Sequence, residues 1–247
     1  MARPSDIIVV GAGIVGCAVA HELARRGASV EIVDERPVGM GATQASAGVL
    51  APFIEAREGS PLLELTVRSL DLFDSFMERV SAESGVAVSY RRTGTLDVAV
   101  TDAELEALRT TADVLARRGV PALLLDAQAV RAEEPLIGDG VIGGLQIDSH
   151  GFVAAGDLTR ALAAAARRRG AQLIERGRVR RITRSNGDMT VETDRGSLTS
   201  NAVVLAAGSW SGEIAIDGVS ATVPVRPVRG QLLHLGWTGT PLRRVTW

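Results

Sequence analysis

The sequence contains no lysine: all 27 of its basic residues are arginine. It has a single cysteine, Cys17, so no disulfide can form within the chain, and the cysteine usage gives no sign of an oxidising compartment. The formal net charge of -2 gives no electrostatic reason to expect nucleic acid or an anionic membrane as a partner. No apolar run approaches the roughly 20 residues that a membrane-spanning helix needs, so no membrane span is expected.

What remains is the composition of an ordinary globular protein, with 46% apolar and 23% charged residues. A chain of 247 residues is long enough for one large domain, or for two intertwined domains with a proper core. Residues 1–6 leave no room for a signal peptide before the first predicted strand, which favours a cytoplasmic protein.

The N-terminal segment follows a strand–helix–strand pattern. Residues 7–10 are continuously apolar and β-branched, which is typical of a buried parallel strand. A helix is predicted over residues 14–26, and a second strand over residues 28–34 ends in Asp34. The apolar stripe predicted for the helix consists of Val15, Val19 and Leu23.

Three glycines, Gly11, Gly13 and Gly16, join the first strand to the helix in the spacing G-x-G-x-x-G. In a dinucleotide-binding unit the first permits a tight turn, the second lets the backbone approach a pyrophosphate, and the third lets helix and strand pack closely. The helix N-terminus would stabilise the phosphates, and Asp34 could accept hydrogen bonds from both ribose hydroxyls. We therefore predict dinucleotide binding; the alternative is a glycine-rich turn that holds no ligand. Aspartate rather than arginine at residue 34 disfavours a 2′-phosphate, and so NADP.

The choice between FAD and NAD depends on the segments that follow Asp34. Residues 39–50 are small and hydroxylated, with little periodicity, so they could lie against a ligand and offer it backbone N–H groups and hydroxyls. Residues 201–211 are typical of a buried strand that ends in small residues, where the backbone again approaches something closely. An NAD dehydrogenase would normally continue with another helix and strand after Asp34.

Taken together, these segments resemble the FAD-dependent amino acid oxidase family, which includes D-amino acid oxidase, sarcosine oxidase and glycine oxidase. Residues 148–169 and 224–231 are most similar to glycine oxidase, and the resemblance extends over essentially the whole chain. It implies an α/β fold: a Rossmann-like FAD-binding domain of the glutathione-reductase type, interleaved with an antiparallel-sheet α+β substrate domain that is incomplete at the C-terminus. The implied boundaries are 1–88 and 151–216 for the FAD-binding domain, and 89–150 and 217–247 for the substrate domain.

The resemblance also implies which residues contact FAD. They are Gly11, Ala12, Gly13, Ile14, Val15, Gly16, Asp34, Glu35, Thr43, Gln44, Ala45, Gly48, Val49, Leu50, Val179, Ala206, Ala207, Gly208 and Trp210. Within this set, the members between residues 43 and 50 would line the pyrophosphate and the flavin. Val179 would contact the adenine through its backbone.

The implied reaction is the two-electron oxidation of the CH–NH bond of glycine or of a small D- or N-methyl amino acid. A hydride passes to the flavin, the imino acid hydrolyses to ammonia and an oxo acid, and dioxygen reoxidises the flavin to give hydrogen peroxide. The flavin supplies the redox chemistry, and the protein must clamp the substrate carboxylate with a cation. Family membership would connect such an enzyme to thiamine biosynthesis, where oxidised glycine feeds the thiazole ring.

Members of the family continue well beyond the last residue of this chain, and the resemblance places the carboxylate-binding arginine and tyrosine in that part. We therefore expect a C-terminally truncated chain in which no residue can be assigned as catalytic. A substrate sheet without its last strands has open edges, which favours aggregation or a partner chain, including a second copy in a homo-oligomer.

Three other functions stay open from the sequence. The first is a relative such as a D-amino acid dehydrogenase, which passes electrons to an acceptor other than dioxygen. The second is a flavin-binding subunit that is inactive alone and is completed by a second polypeptide. The third is a plain NAD dehydrogenase, which would not need the segment between Thr43 and Leu50.

Several single side chains have two interpretations. Cys17 could be a thiolate stabilised by the helix dipole, but small buried packing is favoured. His150 is predicted to be a solvated loop residue, and His21 and His234 are predicted to be structural residues of a helix and a strand. Three histidines in separate elements predict no metal site. Two arginines, Arg226 and Arg229, could stabilise a reduced flavin or could be exposed residues of a strand.

The rest of the chain gives further local predictions. Thr101 and Glu104 form a capping box at the start of a helix. A strand is predicted over residues 90–100 and another over residues 223–235, and a hairpin is predicted around residues 194–196. Gly156 and Asp157 are predicted to cap a helix that ends at Gly170. A helix beginning at Pro61 carries the core stripe Leu63, Val67, Leu70, Phe73, Met77 and Val80.

Overall fold

The computed structural model of the protein describes residues 5–55, 59–185, 187–218 and 223–247. The helices are α1 (Ile14–Arg25), α2 (Pro52–Glu55), α3 (Pro61–Ser84), α4 (Asp102–Arg117), α5 (Ala127–Glu133) and α6 (Ala155–Arg168). The strands are β1 (Ser5–Val10), β2 (Val30–Asp34), β3 (Val49–Leu50), β4 (Tyr90–Arg91), β5 (Thr95–Ala99), β6 (Leu123–Asp126), β7 (Gly143–Ile147), β8 (Gly151–Val153), β9 (Gln172–Glu175), β10 (Val179–Ser185), β11 (Asp188–Thr193), β12 (Gly196–Leu205), β13 (Ala215–Ile216) and β14 (Val245–Thr246). Two short 3-10 helices cover Ala42–Ala45 and Gly208–Glu213.

The chain forms two compact units, and each contains separate stretches of the sequence. The described residues within Met1–Ser46, Met77–Val88 and Ala154–Leu232 make the first unit, and Ala47–Phe76, Ser89–Val153 and Leu233–Trp247 make the second. The chain therefore passes back and forth between the units. Compactness does not say what each unit binds, so the division into a cofactor domain and a substrate domain stays a prediction.

The first unit is built on a seven-stranded sheet in the order β13-β10-β11-β12-β1-β2-β9. Strands β12, β1, β2 and β9 are parallel, whereas β10, β11 and β12 form an antiparallel meander. The apolar run at the start of the chain lies at the centre of the parallel part, and Ile8, Val9 and Val10 are at most 3% exposed. A continuous apolar run suits a strand that is covered on both faces. The predicted α/β fold and its hairpin around residues 194–196 are confirmed.

Helix α1 packs against α6, but the predicted stripe of Val15, Val19 and Leu23 is wrong. Val15 is 64% exposed and the other two are only partly buried. The buried residues of α1 are Gly16, Cys17, Ala20, His21 and Ala24. Apart from His21 these residues are small, which lets the α1 backbone approach the sheet and α6 closely. The packed face of α1 is therefore marked by small side chains and not by the large apolar side chains used for the prediction.

The second unit contains a four-stranded sheet in the order β14-β5-β7-β6 and a three-stranded sheet in the order β3-β8-β4. The predicted strand over residues 90–100 is interrupted at Gly94, which has a φ of +77°. A Cβ at this position would lie 3.1 Å from the carbonyl oxygen of Ile147, so the chain bends where the two backbones meet. The capping box is confirmed: Thr101 Oγ1 accepts from the N–H of Glu104, and the Glu104 carboxylate accepts from the N–H of Thr101.

Three further local predictions have different outcomes. The stripe of α3 is confirmed at Leu63, Leu70, Met77 and Val80, which are at most 6% exposed. The cap predicted at Gly156 and Asp157 is wrong: α6 begins at Ala155, and its N-cap position, Ala154, makes no side-chain cap bond. Residues 223–235 form neither helix nor strand, so the predicted strand there is also wrong. No helix in the described ranges is both long and apolar enough to cross a bilayer.

Candidate functional site: a nucleotide-sized cavity

The glycine turn between β1 and α1 is tightly packed against its surroundings. Gly11 has a φ of +111°, and a Cβ there would lie 2.3 Å from the carbonyl oxygen of Ala206. A Cβ on Gly16 would lie 1.9 Å from the carbonyl oxygen of Gly11. Neither position can hold a side chain without displacing backbone, because real Cβ atoms do not approach other atoms so closely. The turn therefore requires glycine for close packing, as the spacing predicted.

The N-terminus of α1 opens on the same side as the end of β12. The N–H of Ile14 donates to Thr43 Oγ1 at 3.1 Å, which joins the helix start to the loop that follows β2. Gly13 and Ile14 line the cavity described below. The helix dipole makes such a terminus suitable for an anion, and a phosphate is the ligand that usually binds there.

Asp34, at the end of β2, is held by two backbone N–H groups. Its Oδ2 accepts from Ala12 at 2.7 Å, and its Oδ1 accepts from Arg36 at 2.8 Å. These bonds fix the orientation of the carboxylate beside the glycine turn. Each carboxylate oxygen has a further lone pair, so the group can still accept from a ligand hydroxyl. The sequence predicted an acceptor at this position but not the two bonds that orient it.

A cavity of about 1030 Å³ lies at this end of the sheet, and all of its lining residues belong to the first unit. This volume is at the upper end of the range of roughly 300–1,000 Å³ found for ligand pockets. Of the predicted FAD-binding residues, those lining it are Gly11, Gly13, Ile14, Val15, Asp34, Glu35, Thr43, Val179, Ala206, Ala207, Gly208 and Trp210. Segments far apart in the sequence therefore meet around one cavity.

The other predicted residues do not line this cavity. Ala12 and Gly16 are buried beneath the turn, and Gln44 donates its amide to the carbonyl oxygen of Met40 at 2.8 Å. Ala45 ends the short 3-10 helix. The residues Gly48, Val49 and Leu50 lie in the second unit, where Val49 and Leu50 form β3 and pair with β8. Their contact with a flavin stays a prediction.

Several lining residues were not identified from the sequence, and the most informative is Arg36. Its guanidinium lies over the indole of Trp210, 4.1 Å from the ring centroid, and forms an ion pair with Glu35 at 2.9 Å. Arg178 forms ion pairs with Glu35 at 3.6 Å and with Glu213 at 3.3 Å. The Glu-Arg dipeptide directly after Asp34 was a usable signal for Arg36. No local pattern marked Arg178.

Cys17 lies beneath the glycine turn and is fully buried. Burial, with a smaller contribution from the charge of Asp34, raises the pKa of its thiol to about 12. A thiol with this pKa stays protonated at neutral pH, so it is a packing residue. Of the two interpretations, the structure supports packing.

His150 contradicts its prediction as a solvated residue, because its side chain is completely buried. Its Nδ1 is hydrogen-bonded to Thr95 Oγ1 at 2.8 Å, and its ring stacks on Phe53 with centroids 5.5 Å apart. Burial, and then the charge of Arg92, lowers its pKa to about 4. The loop position suggested exposure, but the loop is held against the start of strand β5, where the N–H of Gly94 donates to the carbonyl oxygen of His150 at 3.0 Å.

The other histidines and arginines singled out from the sequence differ in burial. His21 is buried, and its Nε2 lies 2.6 Å from Glu83 Oε2, in agreement with a structural role. His234, by contrast, is exposed and lies outside any strand. Arg226 and Arg229 are exposed and do not line the cavity. Among the described residues, no cluster of histidine, cysteine and carboxylate side chains has the geometry of a metal site.

The chain is similar to known proteins over almost its whole length. The model of the family described as "FAD dependent oxidoreductase" (DAO) matches residues 6–247. Glycine oxidase from Geobacillus kaustophilus (strain HTA426) is 31% identical over 232 residues, which cover 94% of this chain and 61% of that protein. The bifunctional protein ThiO/ThiG from Synechocystis sp. is 31% identical over 252 residues, which cover 99% of this chain and 36% of that protein.

Solved structures give a similar result. The crystal structure of glycine oxidase from Geobacillus kaustophilus aligns with a TM-score of 0.83 at 30% identity, covering 86% of this chain and 57% of that one. L-Proline dehydrogenase from P. horikoshii aligns with a TM-score of 0.70 at 27% identity, covering 87% of this chain and 55% of that one. The chain therefore spans at most about 61% of the length of these relatives.

Proposed function

The chain belongs to the FAD-dependent oxidoreductase family, and we propose that its cavity binds FAD and that the protein is an amino acid oxidase of the glycine oxidase type. The substrate class is glycine or a small D- or N-methyl amino acid, and the electron acceptor is dioxygen. The likeness to glycine oxidase in sequence and in structure supports this choice.

The observation that carries the proposal is the fit between the cavity and a dinucleotide. Gly11, Gly13 and Ile14 border the cavity into which the N-terminus of α1 opens, and close packing of Gly11 against Ala206 fixes the turn. A pyrophosphate would bind at Gly13 and Ile14, with the Thr43 hydroxyl beside it. Asp34 would accept from the ribose hydroxyls, and Val179 would border the adenine.

Bound FAD would supply a two-electron acceptor for the amine, which is chemistry that no side chain offers. The first unit would hold the cofactor by its nucleotide half and fix its position. The contact of Gly48, Val49 and Leu50 with a flavin remains an expectation from the family resemblance. No residue of this chain is assigned as catalytic, since no carboxylate-binding cation has been identified in it.

The biological role that we propose is the oxidation of glycine for the thiazole ring in thiamine biosynthesis. The likeness to a bifunctional ThiO/ThiG protein supports this role. The measurement is thiamine-independent growth of a strain that lacks its own glycine oxidase and carries this chain, compared with the same strain carrying Gly11→Val. Growth with both chains would contradict a role that depends on the cavity.

The proposal is tested first by the visible absorption spectrum of the purified chain before and after FAD is added. Flavin bands that stay with the protein through gel filtration are expected. Glycine, sarcosine and D-alanine are then added without oxygen, and bleaching of the flavin identifies a substrate. Folded protein that retains no flavin would contradict the cofactor assignment.

A second candidate is a dehydrogenase that passes electrons to an acceptor other than dioxygen. The likeness to L-proline dehydrogenase favours it. A substrate that bleaches the flavin and is turned over in air with formation of hydrogen peroxide indicates the oxidase. Turnover that requires an artificial dye and gives no peroxide indicates the dehydrogenase.

A third candidate is a flavin-binding chain that is inactive alone. Retained flavin that none of the three substrates bleaches would support this candidate over the other two.

A further inference from the structure

We infer that Arg36 is a positioning residue: it fixes the indole of Trp210 as a wall of the cavity against which the nucleotide half of the cofactor packs. This inference rests on the proposed function, because it assumes that the cavity binds a dinucleotide. It goes further because it gives a role to Arg36, which belongs neither to the glycine turn nor to the ribose-binding acid expected at Asp34.

The first support is the contact between the two side chains. The Arg36 guanidinium lies 4.1 Å from the centroid of the indole ring, within the distance of about 6 Å at which a cation and an aromatic face attract. Its ion pair with Glu35 holds the same guanidinium from another direction at 2.9 Å. An arginine bonded on two sides loses little further freedom when a ligand arrives, so it is a suitable support for a ring.

The second support is the position of Gly41 beside the same ring. A Cβ at Gly41 would lie 3.4 Å from Cζ3 of Trp210 and 4.0 Å from Nη1 of Arg36. The backbone after β2 therefore passes along the indole edge while the guanidinium covers its face. All three residues line the cavity. The loop that carries Arg36 therefore contacts one face and one edge of the indole, although Trp210 itself lies in the 3-10 helix after β12.

The third support is a comparison with the other cations of the cavity. Arg178 also lines it and forms ion pairs with Glu35 and Glu213, but no ring contact is recorded for it in the described part of the chain. If the cavity needed only positive charge near phosphate, Arg36 and Arg178 would be equivalent. The ring contact is what distinguishes them, and it allows a matched experiment.

The experiment measures the dissociation constants of ADP and FAD by titration calorimetry for the wild type, Arg36→Ala, Arg36→Lys and Arg178→Ala. ADP carries only the nucleotide half of FAD. We expect Arg36→Ala to weaken both ligands by the same factor, about 5- to 30-fold, from loss of the cation–π contact. Arg36→Lys should recover most of the loss, because an ammonium also attracts the indole face.

Two controls separate charge from positioning. Arg178→Ala removes a cavity cation without touching Trp210, so its effect should be smaller than that of Arg36→Ala and should vanish in high salt. Arg25→Ala breaks an exposed ion pair with Glu22 outside the cavity and should leave both dissociation constants unchanged.

A second readout follows Trp210 directly and needs no ligand. The chain has three tryptophans, so Trp237→Phe and Trp247→Phe together leave Trp210 as the single emitter. In this background, Arg36→Ala should shift the emission to longer wavelength and increase quenching by acrylamide. Arg36→Lys should give an intermediate spectrum. A general loss of structure would be visible in the far-ultraviolet circular dichroism, which should not change.

The outcomes are distinct. Unchanged emission in Arg36→Ala would overturn the positioning of Trp210. If the wild type binds ADP and FAD and Arg36→Ala binds them equally well, the inference is overturned but the proposed cofactor is not. The same holds if Arg178→Ala weakens binding as much as Arg36→Ala does. Weakened FAD with unchanged ADP would place Arg36 elsewhere on the cofactor and would also overturn it. A wild type that binds neither ligand would overturn the cofactor assignment itself, and the nucleotide wall with it.

Discussion

Two buried histidines, one in each compact unit, lie in opposite electrostatic surroundings. His21 of the first unit faces Glu83, whose carboxylate also accepts two bonds from Arg169 at 2.8 and 3.1 Å. His150 of the second unit lies on the apolar ring of Phe53, and its Nε2 has no hydrogen-bond partner among the described residues. The first imidazole is paired with a charge, and the second is kept neutral by burial.

The contrast extends to other buried polar atoms of the two units. In the described part of the second unit, the buried atoms without a hydrogen-bond partner are Thr93 Oγ1, Gln146 Oε1, His150 Nε2, Arg244 Nε and Thr246 Oγ1. Among the described residues of the first unit there is one such atom, Ser5 Oγ. Each such group costs about 1–3 kcal/mol relative to a paired one. The buried polar atoms without a partner among the described residues therefore lie mostly in the second unit.

The largest effect is expected at the glycine turn of the first unit. Gly16→Ala should lower the free energy of unfolding by about 3–5 kcal/mol and abolish flavin retention, because its Cβ would lie 1.9 Å from a carbonyl oxygen. Gly27→Ala is the control. Its φ of +91° is also unfavourable for alanine, but no atom lies within 4 Å, so about 1–2 kcal/mol is expected. Urea unfolding measures both, and equal losses would contradict a steric role for Gly16.

The next effect tests the paired histidine. Glu83→Ala should cost about 1–3 kcal/mol, because it leaves His21 buried without its partner. Glu22→Ala removes an exposed carboxylate with two arginine partners and should cost at most about 1 kcal/mol. Thermal unfolding at neutral pH compares the two variants. A Glu83→Ala variant as stable as Glu22→Ala would remove the basis for the contrast between the units.

The pairing of Glu83 also has a pH dependence. Bonds from Arg169 and then from His21 lower its pKa from 4.5 to about 2. A carboxyl group whose pKa is lowered by folding stabilises the protein above its unfolded pKa, and this contribution is lost as the pH falls from about 4.5 towards 2. Glu83→Gln cannot ionise at this position, so its free energy of unfolding should fall less steeply than that of the wild type as the pH drops through this window.

His150 should also lose stability as the pH falls, but at milder pH and because of burial rather than pairing. Burial lowers its pKa from 6.5 to about 4, so the unfolded chain binds this proton first. Stability should therefore fall as the pH drops below about 6.5, by about 2 kcal/mol at pH 5, and should stop falling below about pH 4. His150→Asn should flatten this part of the profile. A variant profile parallel to the wild type between pH 7 and pH 5 would disprove the assignment.

The smallest effect is expected at the capping box of α4 in the second unit. Thr101→Ala should cost about 1 kcal/mol, because the N–H of Glu104 loses its acceptor. Thr110→Ala, in the interior of the same helix, is the control, since its hydroxyl only donates back to the carbonyl oxygen of Glu106. It should cost less than about 0.5 kcal/mol, as an exposed substitution does. Chemical denaturation followed by circular dichroism measures both losses of stability.

Prediction from sequence succeeded where a residue type is required by local geometry. The strand, the glycine turn and the acid at Asp34 are close in sequence, and their spacing carries the strand–turn–helix geometry. The capping box of Thr101 and Glu104 succeeded for the same reason, since both bonds close within four residues. Helix α3 was also identified by its period, because one of its faces is buried.

Prediction failed where burial is decided by distant parts of the chain. Val15 has the right spacing for a core position but faces the cavity, and His150 lies in a loop that is held against the start of β5. The strand expected at residues 223–235 has the composition of a strand, but in this chain it pairs with no neighbour. A strand exists only when a partner supplies its hydrogen bonds, and composition cannot report whether that partner is present.

The sequence by itself determined the glycine turn, the family and many, though not most, of the residues that border the cavity. Only the tertiary structure decided that Arg36 covers Trp210, because these residues are on different elements and meet through the loop at Gly41. It also decided that Asp34 is oriented by two backbone N–H groups, and that one buried histidine faces a carboxylate while the other bonds to a hydroxyl and stacks on a ring. Local patterns encode backbone geometry, whereas contacts between side chains depend on how the elements pack.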